Sequence, residues 1–298
     1  GRSKTKLQSV RAALGEGASG IELITADAAD ENSLHEMCGQ SRVIISTVGP
    51  YALYGSGLGK VCVETGTDYV DLTGEAQWIL RMLLEHESQA EKSGARIIHC
   101  CGFDSVPSDL GVYHHQKVAL EEFGQPATQI RMQVARMKGA ASGGTVASIV
   151  NIAREMTKNP ALRKILANPY ALVPDGKARA RQLNITTPTR DPKTGAWLGP
   201  FVMAGINTRV VHRSNALGGY DYGMDFLYDE SMRMGRGLKG GLAATALTGG
   251  LGAFMAGAVL PPSRWLMEKY ILPKPGEGPS PEQQRDGMYD LRFYGTTA

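Results

Sequence analysis

Arg42-Val-Ile-Ile-Ser-Thr-Val-Gly-Pro-Tyr-Ala-Leu-Tyr-Gly55 is the stretch on which the reading of the chain turns. Val43, Ile44 and Ile45 form a short β-branched run, the pattern of a strand buried on both faces of a parallel sheet. The run breaks at once into Ser46-Thr47-Val48-Gly49-Pro50. Hydroxyls, a glycine and a proline directly after such a strand suit the ligand crevice at the carboxyl ends of the strands in an open α/β sheet. Gly49 permits close approach, and Pro50 keeps the strand from continuing. An ordinary β-to-α turn fits the same residues, so the flanking sequence has to choose.

Upstream, Leu7, Val10 and Leu14 have helical spacing, and Gly15 and Gly17 end that helix. Residues 21–24 read as a strand, and Asp30 as the N-cap of a helix through Cys38. Downstream, residues 57–65 read as a helix closed by Gly66, and residues 68–72 as a strand. Residues 75–93 come next as a helix with Trp78, Ile79, Met82 and Leu83 on one face, and residues 95–100 as another strand. Gly102-Phe-Asp-Ser-Val-Pro107 then leads into a helix to about Phe123. This repeated alternation predicts an α/β fold with a doubly wound, Rossmann-type parallel sheet. Right-handed crossovers would place loops 25–30, 46–55, 71–75 and 100–107 along one edge. The ligand reading of 46–50 gains from that convergence.

Beyond Gly124-Gln125-Pro126 the pattern changes. Residues 128–137 alternate apolar and polar, as in a sheet with one wet face, and Gly143-Gly144-Thr145 opens a helix to about Met156. Residues 159–200 read as a polar, proline-rich connection, and residues 201–213 and 285–294 as strands. The expected organisation is a dinucleotide-binding domain over 1–125 and an α+β substrate domain over 126–298. Residues 240–263 carry no charge and are rich in Ala, Leu and Gly. A run of about 20 such residues is long enough to cross a bilayer, but its glycines and threonines make a weak span. Contact with a lipid-like substrate, contact with a membrane surface and burial in the core all fit it.

The 298 residues, 42% hydrophobic and 20% charged, describe a folded chain of about two domains. A net charge of +3 with no basic stripe interleaved with aromatics argues against nucleic-acid binding. The four cysteines, Cys38, Cys62, Cys100 and Cys101, have no metal-ligand spacing. Two of them are adjacent and ill-suited to a structural bridge, which points to a reducing, cytoplasmic setting. No nucleophile–base pair stands out, so hydrolysis has no support. The chain opens Gly1-Arg2-Ser3 without a methionine and closes just after a strand-like run, so a fragment of a longer protein is expected.

No GxGxxG motif occurs in the chain. Gly1-Arg2-Ser3 reads instead as the segment just after the second strand of a dinucleotide fold, which would put the first strand, its glycine-rich turn and its helix upstream. There Arg2, helped by Ser3 and by Lys4 or Lys6, can meet a 2′-phosphate. Asp27 is placed for an adenine amino group. Ser46, Thr47, Val48, Gly49 and Pro50 are placed beside ribose and nicotinamide, and Asp104, after the last strand, joins these cofactor-binding candidates. Tyr51 is the candidate for proton transfer, since a phenol can donate a proton or orient a carbonyl. Asp71, Thr73, Glu75 and Ser105 stand on the same edge, where helix capping explains them equally well. His99 reads as a core histidine, and His114-His115 forms no metal triad.

Val-Ile-Ile-Ser-Thr-Val-Gly-Pro-Tyr at 43–51, Thr-Asp-Tyr-Val-Asp-Leu-Thr-Gly-Glu at 67–75 and Cys-Gly-Phe-Asp-Ser-Val-Pro-Ser-Asp-Leu-Gly at 101–111 resemble the saccharopine dehydrogenase-like oxidoreductases. The nearest branch contains the trans-acting enoyl reductases of mycobacterial lipid synthesis. Ser-Gly-Gly-Thr-Val-Ala-Ser at 142–148, Asn207-Thr208-Arg209-Val210-Val211 and the 275–279 segment extend the resemblance into the second domain. It implies an NADP(H)-binding Rossmann domain, a second domain that shapes the substrate site, and enoyl reduction on a lipid- or polyketide-linked substrate. The alternatives are a lipid- or membrane-associated binding protein without turnover, and an amino-acid oxidoreductase of the saccharopine dehydrogenase type. Expected partners are the substrate, a membrane surface through 240–263, and a further copy of the chain.

Overall fold

The computed structural model describes residues 1–139, 142–174, 180–273 and 277–297. The chain separates into two compact units, Gly1–Thr73 with Trp78–Cys101, and Gly74–Gln77 with Gly102–Ala298.

In the first unit, α1 (Lys4–Ala13), α2 (Glu31–Gly39), β1 (Val43–Ser46), α3 (Tyr51–Tyr54), α4 (Ser56–Thr65), β2 (Asp68–Asp71), α5 (Ala76–Ser93) and β3 (Ile97–Ile98) alternate. The strands form a parallel sheet in the order β1-β2-β3. Local chemistry sets the boundaries. The Asp30 carboxylate accepts from Asn32 N to start α2, and Gly66, at φ 72°, closes α4 in the left-handed region that favours glycine. Ile44, Tyr69 and Ile97 face Leu34, Cys38, Leu58, Val61 and Cys62 of α2 and α4, forming the core of this unit.

Two expectations are corrected here. The run 43–45 is not buried on both faces: Ile45 is 74% exposed, while Ile44 packs towards α2 and α4. Residues 21–24 form no strand. Near that segment Gly1 N donates to Ile24 O and Ala26 N donates to Gly1 O, which is too little pairing for a ladder.

The second unit holds α6 (Val106–Phe123), β4 (Gln129–Lys138), α7 (Gly143–Lys158), α8 (Pro160–Ala167), β5 (Thr189–Arg190), β6 (Trp197–Pro200), α9 (Ala204–Leu217), β7 (Leu227–Gly235), α10 (Gly237–Val259), α11 (Pro261–Tyr270), α12 (Pro281–Arg285) and β8 (Met288–Thr296). Its sheet runs β5-β6-β7-β4-β8, with β4 parallel to β7 and antiparallel to β8. Ile130, Met132 and Val134 of β4, Phe226 and Tyr228 beside and on β7, and Val112 and Val211 of α6 and α9 make its core.

The expected strand over 201–213 is a helix from Ala204 on. Its buried residues Ile206, Asn207, Arg209, Val211, His212 and Asn215 recur with helical spacing, which overrides the β-branched Thr208, Val210 and Val211. The expected connection over 159–200 contains α8, β5 and β6; its residues 175–179 lie outside the described ones, as do residues 275 and 276 of the 275–279 segment.

Candidate functional site

The parallel register puts Ser46 opposite Asp71 and Tyr69 opposite Ile97. Two residues further on, Asp71 and His99 are neighbours, with His99 Nδ1 2.7 Å from Asp71 Oδ2 and both side chains buried. The second carboxylate oxygen, Oδ1, accepts from the amides of Thr73 and Cys100, each at 3.1 Å. Donation to the carboxylate places a proton on Nδ1 and directs Nε2 away from it. Nε2 is buried without a hydrogen-bond partner among the described residues. Orphaned buried polar atoms at strand ends call for a ligand or a water, and the carboxyl edge of a parallel sheet is where ligands sit. The residues present therefore fit a dinucleotide fold.

The turn after β1 is held from beneath. Thr47 and Val48 are exposed, whereas Pro50 and Tyr51 are buried. The Tyr51 hydroxyl donates to Ser46 O at 2.9 Å and accepts from Leu72 N at 3.4 Å, clasping the ends of β1 and β2. Its ring packs on Trp78, whose indole N–H donates to Ser56 Oγ at 3.0 Å. A side chain at Gly55 would begin 2.9 Å from that indole, so glycine is required there. Trp78 also meets His99 edge-on at 5.1 Å, joining the turn to the Asp71–His99 pair.

Gly1's backbone bonds to Ile24 and Ala26 bring Arg2 and Ser3 beside Asp27. Arg2 is exposed, the Ser3 hydroxyl caps α1 by accepting from Lys6 N, and the Asp27 carboxylate accepts from Ala29 N. Ala28 O lies 3.4 Å from where a Gly57 side chain would start, so loop 25–30 adjoins the start of α4. Arg2, Ser3 and Asp27 thus gather at one end of the unit. Glu31, His35 and Glu64 also converge within 4.8 Å, but Lys60 already ion-pairs with Glu31 and Glu64 in this exposed group.

Asp104 belongs to the second unit, where the turn before α6 is fixed by a residue that sequence reading did not single out. Asn207, fully buried on α9, donates from Nδ2 to Asp104 O at 3.0 Å and to Glu230 Oε2 at 3.0 Å, with Ser108 Oγ at 3.1 Å. Its Oδ1 accepts from Ser105 Oγ at 2.8 Å, so that hydroxyl does not cap α6. The Tyr228 hydroxyl donates to the other oxygen of Glu230 at 2.7 Å. Glu75, also buried, accepts from Ser148 Oγ at 2.9 Å.

Burial pushes Glu230 from its ordinary 4.5 up to about 7, despite bonds from Ser108, Tyr228 and Asn207 that favour the charged form. The unfolded chain releases this proton first, so the stabilisation is complete below about pH 4.5 and is lost as pH rises to about 7. Asp229, pushed up to about 6 by burial, acts in the same direction. His212 acts oppositely: burial, then the Arg209 charge, lowers it to about 4, so its contribution is lost as pH falls from 6.5. Glu230→Gln is expected to flatten the melting temperature between pH 4.5 and 7. Thermal melts across that range check it, and an unchanged slope would refute the assignment.

Taken alone, the first unit has a parallel sheet with helices packed on it, the arrangement of a dinucleotide-binding fold. Its residues 1–98 match the family described as "Saccharopine dehydrogenase NADP binding domain". The full chain is 39% identical to a trans-acting enoyl reductase of Mycobacterium tuberculosis and 37% identical to one of Mycobacterium leprae, spanning 73% of each. A looser likeness, 21% identity and a TM-score of 0.37 over 47% of this chain and 28% of the other, is to apo histidine-tagged saccharopine dehydrogenase (L-Glu forming) from Saccharomyces cerevisiae. The chain belongs to the saccharopine dehydrogenase-like family, in the branch of the trans-acting enoyl reductases.

Proposed function

We propose that this chain is an NADP(H)-dependent oxidoreductase that reduces the carbon–carbon double bond of an enoyl group on a lipid- or polyketide-linked substrate. The observation that carries this reading is the strand-end row Ser46, Asp71 and His99, in which His99 Nε2 is buried and unpartnered among the described residues, next to the turn with exposed Thr47 and Val48. The nicotinamide group supplies hydride when bound. The protein's part is to hold and orient: Ser46–Pro50 flank the ring and ribose, Asp27 meets the adenine, and Arg2 with Ser3 meets the 2′-phosphate. Asp71 holds the His99 ring in one orientation through Nδ1. Among the described residues no cysteine forms a disulfide, and Cys38 Sγ and Cys62 Sγ stand 3.6 Å apart, which suits a reducing cytoplasm.

Titration of the chain with NADPH, followed by its fluorescence, tests the reading, and absence of binding at millimolar cofactor would sink it. Arg2→Ala is expected to weaken NADPH binding about tenfold, the size of one lost charged hydrogen bond, and to leave NADH binding unchanged. Equal losses for both nucleotides would remove the 2′-phosphate role. Tyr51 is our candidate proton donor, and its hydroxyl would have to leave Ser46 O to act. Tyr51→Phe is then expected to lower kcat on an enoyl thioester at least about 100-fold. A loss of about 1 kcal/mol in stability with kcat retained would make Tyr51 a clasp only.

A further inference from the structure

The uncharged segment forms α10, and the chain leaves most of it uncovered. One stripe is used internally: Gly240 and Gly241 lie under Trp197, Leu247 meets Gly199, and Ala258 packs with Val150 and Ala153 of α7. Yet only 11% of its most apolar 18-residue window is buried. Leu238, Leu242 and Leu260 are exposed on α10 and at its end, and Trp265, Leu266, Tyr270 and Ile271 continue the apolar surface along α11.

Three observations say what covers this surface. First, the hydroxyls of the segment are satisfied by carbonyls of α10. Thr245 Oγ1 donates to Gly241 O at 2.9 Å, Thr248 Oγ1 to Ala244 O at 2.8 Å, and Ser263 Oγ to Gly257 O at 2.8 Å. Such self-sufficiency is what a non-hydrogen-bonding medium demands. Second, the charges stand only at the ends: Arg236 and Lys239 before the run, and Arg264, Glu268 and Lys269 after it, an excess of cations that favours an anionic surface. Third, the Lys269 ammonium lies over the rings of Trp265 at 4.7 Å and Tyr270 at 5.1 Å. An amine folded on aromatic rings at the edge of an apolar face matches the headgroup level of a bilayer, where rings and cations gather.

We propose that the exposed faces of α10 and α11 dock the chain on the surface of an anionic lipid bilayer. The helix lies in the interface and does not cross it, because its inner stripe stays packed on β6, β7 and α7.

The test is flotation of the full chain with phosphatidylcholine vesicles, with and without phosphatidylglycerol. The chain is expected to float with the anionic vesicles and to be released by salt. The double variant Leu242→Glu/Leu266→Glu, altered only at exposed positions, is expected to lose at least about tenfold in partitioning, as two leucines no longer leave water. Its circular dichroism and melting temperature should match the parent. Lys269→Glu should reduce binding to anionic vesicles and leave the weaker binding to neutral ones unchanged. No flotation with either vesicle would overturn the proposal, as would equal flotation by the double variant. A dimer in light scattering that the double variant dissolves, without vesicle binding by the parent, would assign the face to a second copy and overturn it too.

Discussion

Asn207→Leu is expected to lower the stability of the second unit by about 3 kcal/mol, the scale for breaking a buried polar network. Leucine keeps the number and branching of the side-chain heavy atoms, so most of the loss reports polarity. It strips the Glu230 carboxylate of an amide donor and leaves the Ser105 hydroxyl and Asp104 carbonyl without the partner that holds the turn before α6. In a unit of this size the loss corresponds to a fall of roughly 10 °C in melting temperature. The effect should grow as pH rises towards 7, where Glu230 gives up its proton and its unpaired charge becomes more costly. Differential scanning calorimetry at acid and neutral pH measures both parts. A change within about 0.5 kcal/mol would mean that Asn207 is an ordinary surface-like position.

Trp78→Ala is expected to cost the first unit about 4 kcal/mol, the range for emptying a buried aromatic site. Trp78 is 1% exposed and touches three parts of the candidate site: the Tyr51 ring, the His99 imidazole and Gly55. The cavity would sit directly beneath the turn after β1, so cofactor affinity should fall with stability. Trp78→Phe separates the contributions. It keeps an apolar ring but loses the N–H donated to Ser56, at a cost of about 1 kcal/mol. Chemical denaturation followed by circular dichroism, alongside NADPH titration, reads both. A Trp78→Ala protein that unfolds like the parent would show that the turn holds itself.

Where the sequence was legible, local rules and tertiary packing agreed. The run 43–46, the stop at Pro50 and the glycine-closed helices of the first unit follow from patterning and backbone chemistry, and the structure has them. The alternating residues of β4 and the strand near 288–296 were equally readable from their sequence patterns. Residues 204–217 misled because β-branched side chains imitate a strand, while the helical spacing of Ile206, Asn207, Val211 and Asn215 emerges only with knowledge of burial. His99 looked like a lone core histidine, because nothing in a linear sequence reveals that register sets it beside Asp71, 28 residues earlier. Asn207 was hidden for the same reason: three of its four partners stand 99, 102 and 103 residues away along the chain. Long-range polar networks leave no period to count.

The order of strands in the second sheet bears on how this protein is made. β4 lies between β7 and β8, so residues 129–138 have neither sheet neighbour until residues 227–235 and 288–296 have been synthesised. At the usual pace of translation, about 5–20 residues per second, that is a wait of many seconds with Ile130, Met132 and Val134 unsheltered. The first unit, whose strands pair with near neighbours, can close during that time. Nascent chains paused before residue 288 should accordingly be caught by chaperones through their second unit, with the first already resistant to protease.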